Sequence, residues 1–398
     1  MQQLNNKQIL LGVTGGIAAY KSAELIRRLK DYGADVRVVM TKAAQEFITP
    51  LTLQALSGNP VHTTLLDPEA EAAMGHIELA RWADLILIAP ASADVLSQLA
   101  SGAAKDLLTT LCLASDAPLA IAPAMNQAMW RDAATQQNVA ALKAKGAVVF
   151  GPAEGAQACG DVGPGRMLEP EQIAELTAVQ FQTRSLDGVK LVITAGPTIE
   201  AIDPVRYISN HSSGKMGFAL AEAAIDAGAS VTLIAGPVGL ATPDHCQRIN
   251  VNSADEMLSA ALKQLPNCDI FIGCAAVADY RPASVAEQKI KKNNPQMTIE
   301  LIKNPDIISE IAKHPERPFT VGFAAETEQL ITHAKAKLTR KNLDMIIAND
   351  VSDSRIGFNS DENAATLISA NREETLPFSS KAQMARAIIS TIAKTYTA

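Results

Sequence analysis

Short apolar runs rich in β-branched residues alternate along this chain with longer segments in which apolar residues recur at helical spacing. In the first half, the short runs predict strands at residues 8–13, 35–40, 84–89, 118–122 and 147–150. The longer segments predict helices at residues 21–30, 92–99, 106–115 and 132–145. Because strands that alternate with helices form parallel sheets covered on both faces, this half is predicted to be an α/β domain.

The same alternation returns after a helix predicted at residues 169–179 and a polar stretch at residues 180–188. Strands are predicted at residues 190–194, 230–235, 248–251, 269–275, 320–324, 344–348 and 364–369. Helices are predicted at residues 218–227, 254–265, 306–313, 328–341 and 381–395. A chain of 398 residues is too long for one ordinary core. We therefore predict two doubly wound, mostly parallel-sheet α/β domains, residues 1–184 and 185–398, divided near Arg184.

Composition narrows the classes of protein. No apolar run approaches the roughly 18 residues that a membrane helix needs, and the first residues lack the features of a signal peptide, so we expect a cytoplasmic protein. The net charge of −7 gives no overall attraction to nucleic acid or anionic lipid, so neither is an expected partner. Five cysteines without a C-x-x-C pair suit reduced thiols better than a disulfide framework or a zinc site.

Ligands of parallel sheets bind beyond the carboxyl ends of the strands. In the first half these ends carry Thr14, Gly15 and Gly16 after the first strand and Thr41 after the second. A glycine turn before a helix favours anions, because backbone N–H groups and the helix dipole point at the ligand. The turn is not G-x-G-x-x-G and no acidic residue follows the second strand, which argues against NAD. These groups suit a single phosphate, as in FMN, and the alternative is an ordinary turn without a ligand.

Three further residues are candidates for chemistry. His76 begins a helical segment, where a histidine is commonly only a cap or a surface group. Asn126 follows the fourth strand in P-A-M-N-Q-A-M-W, whose methionines and tryptophan are usually core residues. Cys159 lies in the glycine-rich loop A-C-G-D-V-G-P-G-R-M, which cannot pack a core. We interpret its thiol as a mobile group that closes over a ligand and delivers a proton.

Together these motifs resemble the flavin-containing cysteine decarboxylase family, specifically phosphopantothenoylcysteine decarboxylase. The resemblance rests on G-G-I-A-A-Y-K, G-H-I-E-L-A-R-W-A-D, P-A-M-N-Q-A-M-W and A-C-G-D-V-G-P-G-R-M, which occur in this order across nearly all of residues 1–167. It implies a flavodoxin-like domain with bound FMN. The residues that it implies for FMN binding are Gly15, Gly16, Ile17, Thr41, Ser92, Asp94 and Met125.

The resemblance also implies a reaction. FMN would oxidise the cysteine thiol of the substrate to a thioaldehyde, which makes the adjacent carboxylate a leaving group as carbon dioxide. Reduced FMN would return the hydride to the resulting enethiol while Cys159 supplies the proton, yielding phosphopantetheine. Asn126 would hold the departing carboxylate, and His76 would orient the substrate or assist proton removal.

The second half has its own glycine-marked turn, S-S-G-K-M-G, at residues 212–217. It is not a Walker A motif, because Ser209 and Met216 stand where that motif needs a glycine and a serine or threonine. A phosphate turn of another kind, made by Ser212, Gly214 and Lys215 at a helix start, fits the sequence.

Basic residues cluster at residues 289–292 and 335–341. Such runs are usually solvated faces, but beside a glycine turn they also fit a triphosphate. Asp279 follows an apolar strand and would anchor a divalent ion between phosphate oxygens or, alternatively, cap a turn.

A second resemblance, to phosphopantothenate–cysteine ligase, covers residues 186–351. It rests on G-P-T-I-E-A-I-D-P-V-R-Y-I-S-N-H-S-S-G-K-M-G, G-C-A-A-V-A-D-Y-R-P, K-I-K-K, K-N-P-D-I-I, G-F-A-A-E-T and A-N-D-V. It implies a Rossmann-like domain that couples phosphopantothenate to cysteine with CTP. The carboxylate attacks the α-phosphate, pyrophosphate leaves, and the cysteine amine displaces CMP from the acyl-cytidylate.

This resemblance implies roles for named residues. Asn210 would contact the acyl-cytidylate, and Arg206 and Ala276 would help to bind substrate. Lys289 would stabilise the developing phosphate charge from a mobile loop. The residues implied for CTP and its magnesium or manganese ion are Gly273, Cys274, Ala275, Asp279, Pro305, Asp306, Ile307, Ile308, Phe323, Lys337 and Lys341, with Asp279 as the metal ligand. The preference for CTP rests on the resemblance alone.

The whole chain therefore resembles the bifunctional bacterial coenzyme A biosynthesis family, in which the ligase product is the decarboxylase substrate. The decarboxylase trimers and ligase dimers of that family imply a homo-oligomer. Two other interpretations remain. An NAD-dependent oxidoreductase is disfavoured by the missing ribose-binding acid. A flavoprotein that only binds protein partners is disfavoured by the intact His76, Asn126 and Cys159.

Overall fold

The computed structural model describes residues 4–65, 75–158, 160–291, 296–326, 330–350 and 360–397. The chain divides into two compact units, which we call unit 1 (Met1–Phe181) and unit 2 (Gln182–Ala398). No helix among the residues so described is both long and apolar enough to cross a bilayer.

Unit 1 is built on a six-stranded parallel sheet. Its strands are β1 (Gln8–Val13), β2 (Asp35–Met40), β3 (Val61–His62), β4 (Leu85–Ala91), β5 (Leu119–Pro123) and β6 (Val148–Val149). They lie in the order β3-β2-β1-β4-β5-β6, and all neighbouring pairs are parallel. The α/β fold predicted for this half is confirmed.

Helices cover both faces of this sheet. They are α1 (Lys21–Asp31), α2 (Pro50–Ser57), α3 (Gly75–Trp82), α4 (Ala93–Ser101), α5 (Leu107–Ala114), α6 (Gln127–Arg131), α7 (Ala133–Ala144) and α8 (Pro170–Val179). Two hydrophobic clusters separate the faces: Ile9 and Leu11 of β1 belong to one, and Leu10 belongs to the other. An antiparallel hairpin of β7 (Ala153–Ala156) and β8 (Val162–Arg166) lies between β6 and α8.

Unit 2 contains an eight-stranded mixed sheet. Its strands are β9 (Lys190–Ala195), β12 (Ser230–Ala235), β13 (Cys246–Asn250), β14 (Ile270–Gly273), β17 (Phe319–Glu326), β18 (Met345–Asp350), β19 (Glu362–Ser369) and β20 (Glu373–Ser380). The order is β13-β12-β9-β14-β17-β18-β19-β20, and only β19 and β20 pair antiparallel to their neighbours. The predicted α/β class is confirmed, with an antiparallel hairpin added at one edge.

Among the residues that the structure describes, five α-helices and two small ribbons complete unit 2. The helices are α9 (Lys215–Asp226), α10 (Ala254–Gln264), α11 (Ile307–Lys313), α12 (Leu330–Arg340) and α13 (Lys381–Tyr396). The ribbons pair β10 (Ile199–Ala201) with β11 (Tyr207–Ser209) and β15 (Tyr280–Pro282) with β16 (Leu301–Lys303). Residues 328 and 329 of the predicted fourth helix lie outside the described residues.

Several predicted boundaries were wrong for local reasons. Helix α9 begins at Lys215, three residues before its predicted start at Phe218, because Gly214 takes a left-handed conformation that begins the helix. Strand β20 was not predicted, since Pro377 in its sequence argues against a strand, but β20 is an edge strand where proline is tolerated. The glycine-rich segment predicted as a loop after Cys159 contains strand β8.

Candidate functional site

The carboxyl ends of β1 and β4 are joined through the buried hydroxyl of Thr14. Its Oγ1 donates to the carbonyl oxygen of Pro90 at 2.8 Å and accepts from the backbone N–H of Ser92 at 3.0 Å. After β2, the backbone N–H of Thr41 donates to the carbonyl oxygen of Val13 at 3.0 Å. The residues that follow three strands are thereby held along one edge of the sheet, where parallel sheets bind ligands.

The glycine turn after β1 leaves room at this edge. A Cβ added at Gly15 would lie 2.5 Å from the Cβ of Ala43, whereas a Cβ at Gly16 would meet no atom within 4 Å. The turn leads through a 3₁₀ helix at Ile17–Tyr20 into α1, and the side chains of Ile17 and Tyr20 are 63% and 60% exposed. Backbone N–H groups at a helix start, beside exposed apolar side chains, can hold a phosphate and a flat apolar ring.

Thr41, Ser92 and Asp94 reach the same edge at the starts of helices. Thr41 Oγ1 accepts from the N–H of Ala44 at 3.3 Å, and Ser92 Oγ accepts from the N–H of Val95 at 3.4 Å. A hydroxyl that accepts such a bond can still donate its own proton to a ligand oxygen. Asp94 is exposed in the first turn of α4, and its carboxylate accepts from a glutamine one turn later at 2.7 Å.

The start of α1 is tied to the segment that leaves the β7–β8 hairpin. Nζ of the buried Lys21 donates to Glu169 Oε1 at 2.9 Å and to the carbonyl oxygen of Met167 at 3.2 Å. The hydrogen bond from Lys21 holds the pKa of Glu169 below its ordinary value. The start of α1 and the start of α8 therefore share a charged contact.

Asn126 precedes α6 and faces the β7–β8 hairpin. Its Oδ1 accepts from the N–H of Ala128 at 2.7 Å, and its Nδ2 donates to Asp161 Oδ2 at 2.9 Å. On the other arm of the hairpin turn, Gln157 Oε1 accepts from the N–H of Gln127 at 3.0 Å. Both arms of the turn are thus bonded to the residues that follow β5.

Cys159, which lies between Gln157 and Asp161 in the sequence, is outside the described residues. The hairpin around it is bonded to Met125, whose N–H donates to the carbonyl oxygen of Gly165 at 2.9 Å and whose carbonyl oxygen accepts from Gln157 Nε2 at 3.4 Å. The described residues of the hairpin therefore lie against the end of β5.

His76 lies in the first turn of α3 and is half-buried. Helix α3 ends at Trp82, next to Asp84, whose carboxylate accepts from the N–H of Gln8 at the amino end of β1, at 2.9 Å. Because the end of α3 lies at the amino side of the sheet, its start lies at the carboxyl side. The structure thus places His76 on the same side of the sheet as the glycine turn and Asn126.

The carboxyl edge of unit 1 fits a flavin mononucleotide better than a dinucleotide. Its donors are the backbone groups of one glycine turn and two hydroxyls, which suit one phosphate. Thr41 is followed by Lys42, so an acidic residue that would bind a second ribose is missing after β2.

In unit 2, the residues after β9 and β14 run side by side. The N–H of Ala276 donates to the carbonyl oxygen of Gly196 at 2.9 Å, and the N–H of Thr198 donates to that of Ala276 at 3.2 Å. Thr198 is buried, and its Oγ1 accepts from the N–H of Ala278 at 3.0 Å. The predicted residues brought alongside the β9 turn in this way are Gly273, Cys274, Ala275 and Ala276.

The N-terminus of α9 lies next to the segments that follow β9 and β14. A Cβ added at Gly214 would lie 3.5 Å from the Cα of Gly196, so the two turns approach closely. Ser212 Oγ accepts from the N–H of Gly214 at 3.4 Å, and Asn210 Nδ2 donates to the carbonyl oxygen of Ala276 at 3.1 Å. Asn210, Ser212 and Gly214, which belong to one predicted motif, are therefore joined at the start of α9 to Ala276 from a distant motif.

Lys215 contributes positive charge at the same place. Its Nζ lies 2.6 Å from Asp361 Oδ1. Burial and the charge of Lys215 hold the pKa of the neighbouring Lys381 below its ordinary value, and Lys381 Nζ donates to the carbonyl oxygen of Ser360. Burial raises the pKa of the Cys274 thiol to about 12, so this thiol is protonated at neutral pH.

Asp203 is a buried carboxylate beside the predicted substrate residues. Oδ1 accepts from the backbone N–H groups of Val205 and Arg206, both at 2.8 Å, and Oδ2 accepts from Arg206 Nε at 3.0 Å and from the N–H of Ile290 at 3.1 Å. The hydrogen bond from the Arg206 side chain and the backbone donors hold the pKa of Asp203 far below its usual range, against the effect of burial. Lys289, exposed and next to Ile290, is brought into the neighbourhood of Arg206.

Asn304 joins the residues after β14 to the start of α11. Its Nδ2 donates to the carbonyl oxygen of Ala278, and its N–H donates to that of Asp279, both at 2.8 Å. Two residues on, Asp306 Oδ2 lies 2.8 Å from Lys341 Nζ. Burial alone would raise the pKa of Asp306, but the ion pair with Lys341 and hydrogen bonds at the start of α11 bring this pKa below its ordinary value.

The other residues predicted for the nucleotide differ in what their side chains can do. Ile307 is buried in a hydrophobic cluster, so it can offer only its backbone. Ile308 packs onto the sheet, since a Cβ at Gly273 would lie 2.9 Å from its Cδ1. Phe323 packs against the main cluster of unit 2. The last two are Pro305, just before α11, and Lys337, four residues before Lys341.

Asp279 is exposed at this edge. Within the described ranges, no group of three or more histidine, cysteine or acidic side chains is arranged to hold a metal ion. A divalent ion at Asp279 would therefore take its remaining ligands from phosphate oxygens and water, as magnesium bound to nucleotides commonly does.

The residues at these edges that the predicted set lacks include Gln157, Asp161, Asp203, Asn304 and Lys381. The role of Asp203 in its turn could have been predicted from the sequence, because an aspartate at the start of a D-P-x-R segment commonly accepts hydrogen bonds from the backbone of its own turn. The other four act through contacts between distant segments, which spacing along the sequence does not indicate.

Comparison with known proteins agrees with the division into two units. The family model described as "Flavoprotein" matches residues 1–182, and the one described as "DNA/pantothenate metabolism flavoprotein C-terminal domain" matches residues 186–396. The chain is 60% identical over 395 residues to the coenzyme A biosynthesis bifunctional protein CoaBC of Vibrio vulnificus (strain CMCP6), which covers 98% of both chains. It is 54% identical to the protein of that name from Escherichia coli (strain K12), over 99% of this chain and 98% of the relative. The corresponding Bacillus subtilis (strain 168) protein is 45% identical over 98% of this chain and 97% of the relative.

Proposed function

Because the chain belongs to the family of coenzyme A biosynthesis bifunctional proteins, we propose that it carries out two consecutive reactions of that pathway. Unit 2 is a phosphopantothenate–cysteine ligase that uses CTP, and unit 1 is a phosphopantothenoylcysteine decarboxylase that uses FMN. The observation that carries this assignment is the 54% to 60% identity to such proteins across nearly the whole of both units. The product of ligation is the substrate of decarboxylation, so the two activities form one sequence.

In unit 1, FMN would lie at the carboxyl edge of the sheet. Its phosphate would accept hydrogen bonds from the backbone at Gly15, Gly16 and Ile17 and from the hydroxyls of Thr41 and Ser92. The bound flavin supplies the oxidation of the substrate thiol and the return of the hydride. The backbone N–H of Ser92 is occupied by Thr14, so Ser92 would contribute through its hydroxyl.

Three residues of unit 1 would act on the substrate, next to Asp94 and Met125 at the flavin. Asn126 would hold the carboxylate that leaves as carbon dioxide, since its amide nitrogen already donates to a carboxylate in this structure. His76 would orient the substrate from the start of α3. Cys159 would supply the final proton, because a thiol with an ordinary pKa of about 8.5 is mostly protonated at neutral pH.

In unit 2, the carboxylate of phosphopantothenate attacks the α-phosphate of CTP, pyrophosphate leaves, and the cysteine amine then displaces CMP. The N-terminus of the twelve-residue α9, beside Gly214, would attract phosphate through its partial positive charge. Lys289 and Lys341 would add full positive charges as the phosphates separate. Asn210 would contact the acyl-cytidylate, and Arg206 would bind phosphopantothenate.

We also propose that the protein is a homo-oligomer of the cytoplasm, with unit 1 forming trimers and unit 2 forming dimers. The two ribbons of unit 2 support association, because they carry large apolar side chains that are between 40% and 58% exposed: Val205, Tyr207, Tyr280, Leu301 and Ile302. Monomeric proteins rarely expose contiguous apolar surface of this kind. Light scattering after size exclusion measures the oligomeric state directly.

The function is tested by incubating the flavin-loaded protein with phosphopantothenate, cysteine, magnesium and either CTP or ATP, with products followed by mass spectrometry. We expect phosphopantothenoylcysteine, then phosphopantetheine, with CTP preferred. Asn210→Asp should abolish ligation but leave decarboxylation of added phosphopantothenoylcysteine intact, because it places a carboxylate against the carbonyl oxygen of Ala276. Cys159→Ser should do the reverse. If the wild-type protein forms neither product, the assignment is refuted.

A further inference from the structure

We infer that Asp203 is a positioning residue of the ligase reaction, which fixes Arg206 and the segment that carries Lys289 relative to each other. The inference rests on the proposed ligase function of unit 2. It goes beyond that function because it identifies the group that assembles two residues from distant parts of the chain.

Asp203 contacts both parts of the site at once. Its side chain is fully buried, whereas that of Arg206 is 34% exposed. Oδ1 holds the turn that presents Arg206, through the backbone N–H groups of Val205 and Arg206. Oδ2 accepts from the Arg206 side chain and from the N–H of Ile290, which lies 87 residues further along the chain.

The segment before Lys291 is bonded to the same turn at two further points. Arg206 Nη2 donates to the carbonyl oxygen of Ile290 at 2.9 Å, and the N–H of Ala286 donates to the carbonyl oxygen of Ile202 at 3.0 Å. Lys289 lies between these two anchors and is itself exposed. The backbone on both sides of Lys289 is therefore held, while the exposed side chain of Lys289 is accessible to a phosphate.

The carboxylate is suited to this task by its protonation state. A buried carboxylate that accepts hydrogen bonds from an arginine and several backbone N–H groups stays ionised at all working pH values. Its charge then fixes the guanidinium plane through a charge-assisted pair, which is more directional than a pair between neutral groups. A misplacement of about 1 Å at a catalytic group can cost about 100-fold in rate, so an anchor of this kind affects catalysis without contacting substrate.

Unit 2 contains a matched control in Asp344. This carboxylate also pairs with an arginine, Arg317, and also accepts a backbone N–H, that of Thr320 at 2.7 Å. It lies just before β18, at the amino end of the strand and so on the opposite side of the sheet from the site. Asp344→Asn therefore removes the same kind of charged contact without reaching the site.

The test compares Asp203→Asn with Asp344→Asn in the flavin-loaded full chain. We expect Asp203→Asn to lower kcat for phosphopantothenoylcysteine formation about 10- to 100-fold, and Asp344→Asn to change it less than about threefold. The second readout is trypsin cleavage of the Lys289–Ile290 bond, whose N–H is bonded to Asp203. Cleavage should be at least about 10-fold faster in Asp203→Asn alone, because a protease must first release the segment.

A double-mutant cycle separates positioning from general destabilisation. If Asp203 acts by placing Lys289, then Asp203→Asn costs much less in a Lys289→Gln background than in the wild type. If the two losses multiply, the inference is wrong. Equal losses of kcat in Asp203→Asn and Asp344→Asn, or unchanged cleavage at Lys289, would also overturn it.

Two further experiments apply if Asp203→Asn does not fold or if the wild-type protein forms no ligated product. If Asp203→Asn does not fold, Ile290→Pro removes one donor to Oδ2 and leaves the carboxylate in place, and the same loss of kcat is expected. If the wild-type protein makes no ligated product, the proposed function fails, but the rate of trypsin cleavage still shows whether Asp203 anchors the segment.

Discussion

The side-chain amide nitrogen of Asn126 lies 2.9 Å from a carboxylate oxygen of Asp161, 35 residues further along the chain. Gln157 supports this contact from the other arm of the hairpin turn, because its Nε2 donates to the carbonyl oxygen of Pro164 at 3.2 Å. Asp161, two residues after Cys159 in the sequence, is thus tied to the residue proposed to hold the leaving carboxylate. The proton donor and the carboxylate-binding group are therefore expected to act as one assembly.

Replacing Asp161 with alanine should slow decarboxylation. The substitution removes the acceptor of the Asn126 amide and one of the contacts that hold the hairpin turn. We expect kcat to fall about 10-fold with unchanged flavin content, since Asp161 is not among the residues proposed to bind the flavin. Carbon dioxide release from added phosphopantothenoylcysteine and the flavin absorbance per chain measure the two quantities.

Unit 1 offers a close control for this variant. Asp35 Oδ1 accepts from Asn59 Nδ2 at 3.0 Å, so it forms the same kind of exposed asparagine–aspartate pair. Asp35 begins β2, at the opposite end of the sheet. Asp35→Ala should leave kcat within about twofold of the wild type, because exposed polar pairs contribute little. Similar losses in Asp35→Ala and Asp161→Ala would contradict the role given to Asp161.

Thr14→Val should destabilise unit 1 and lower its affinity for flavin. The valine keeps the shape of the side chain but leaves the carbonyl oxygen of Pro90 and the N–H of Ser92 without their partner. An unsatisfied buried polar group costs about 1–3 kcal/mol. Urea unfolding followed by flavin fluorescence measures the loss.

The control for this variant is another buried threonine. Thr177 Oγ1 donates to the carbonyl oxygen of Ile173 within α8, at 2.7 Å. Such bonds within a helix contribute little, so Thr177→Val should change the free energy of unfolding by less than about 1 kcal/mol. Equal effects of the two substitutions would show that the Thr14 bridge has no special importance.

The sheets were predictable because their strands are short, apolar and separated by helices with clear caps. The strands at residues 8–13, 35–40 and 230–235 were predicted with the bounds observed. The β19–β20 hairpin escaped prediction in part, since the alternating pattern of β20 is broken by Pro377. The short ribbons of unit 2 escaped it because three-residue strands carry too little periodicity.

The candidate sites were predictable only where chemistry is concentrated in one motif. The turns at Gly15 and Gly214 were predicted from the glycines that they contain. The pairing of Asp306 with Lys341 was not predicted, because the two residues lie at the ends of two helices that are adjacent only in the folded chain. Asp161 and Asp203 also contact groups that the sequence places far away, so their partners could not be inferred from spacing.

Asp306→Asn should tighten the binding of CTP. The amide can keep the hydrogen bond to the start of α11, but the change removes a negative charge and frees Lys341 for phosphate. We expect the KM for CTP to fall about two- to fivefold, the range of a partly exposed ion pair. Glu310→Gln, four residues further on in the exposed part of α11, should leave KM unchanged.

The pH dependence of this effect follows from the pKa of Asp306, which is lowered by Lys341 and by hydrogen bonds at the start of α11 despite its burial. A lowered pKa keeps the ion pair intact above the ordinary carboxyl range, and the pair is lost only as pH falls through the lowered value. The ratio of KM values for the variant and the wild type should therefore be constant between about pH 6 and 9. A ratio that changes steadily over this range would contradict the assignment.

The four described cysteines should react slowly with iodoacetamide. Burial raises the pKa of Cys112, Cys268 and Cys274 to about 12 and that of Cys246 to about 11. Since only the thiolate reacts, their labelling rates should rise about tenfold per pH unit from pH 7 to 9, whereas a thiol of ordinary pKa levels off near pH 8.5.

The fifth cysteine, Cys159, is expected to be labelled before the other four. If Cys159 titrates as an ordinary thiol, short exposure at pH 8 should modify it first, abolish decarboxylation and leave ligation in the other unit intact. Peptide mass spectrometry with the two activity assays measures this, and the unfolded protein, in which all five cysteines should label alike, is the control. Fast labelling of any described cysteine would show that burial does not protect it. Loss of ligation together with decarboxylation would show that the modified thiol serves more than the decarboxylase, because the two reactions are assigned to separate units.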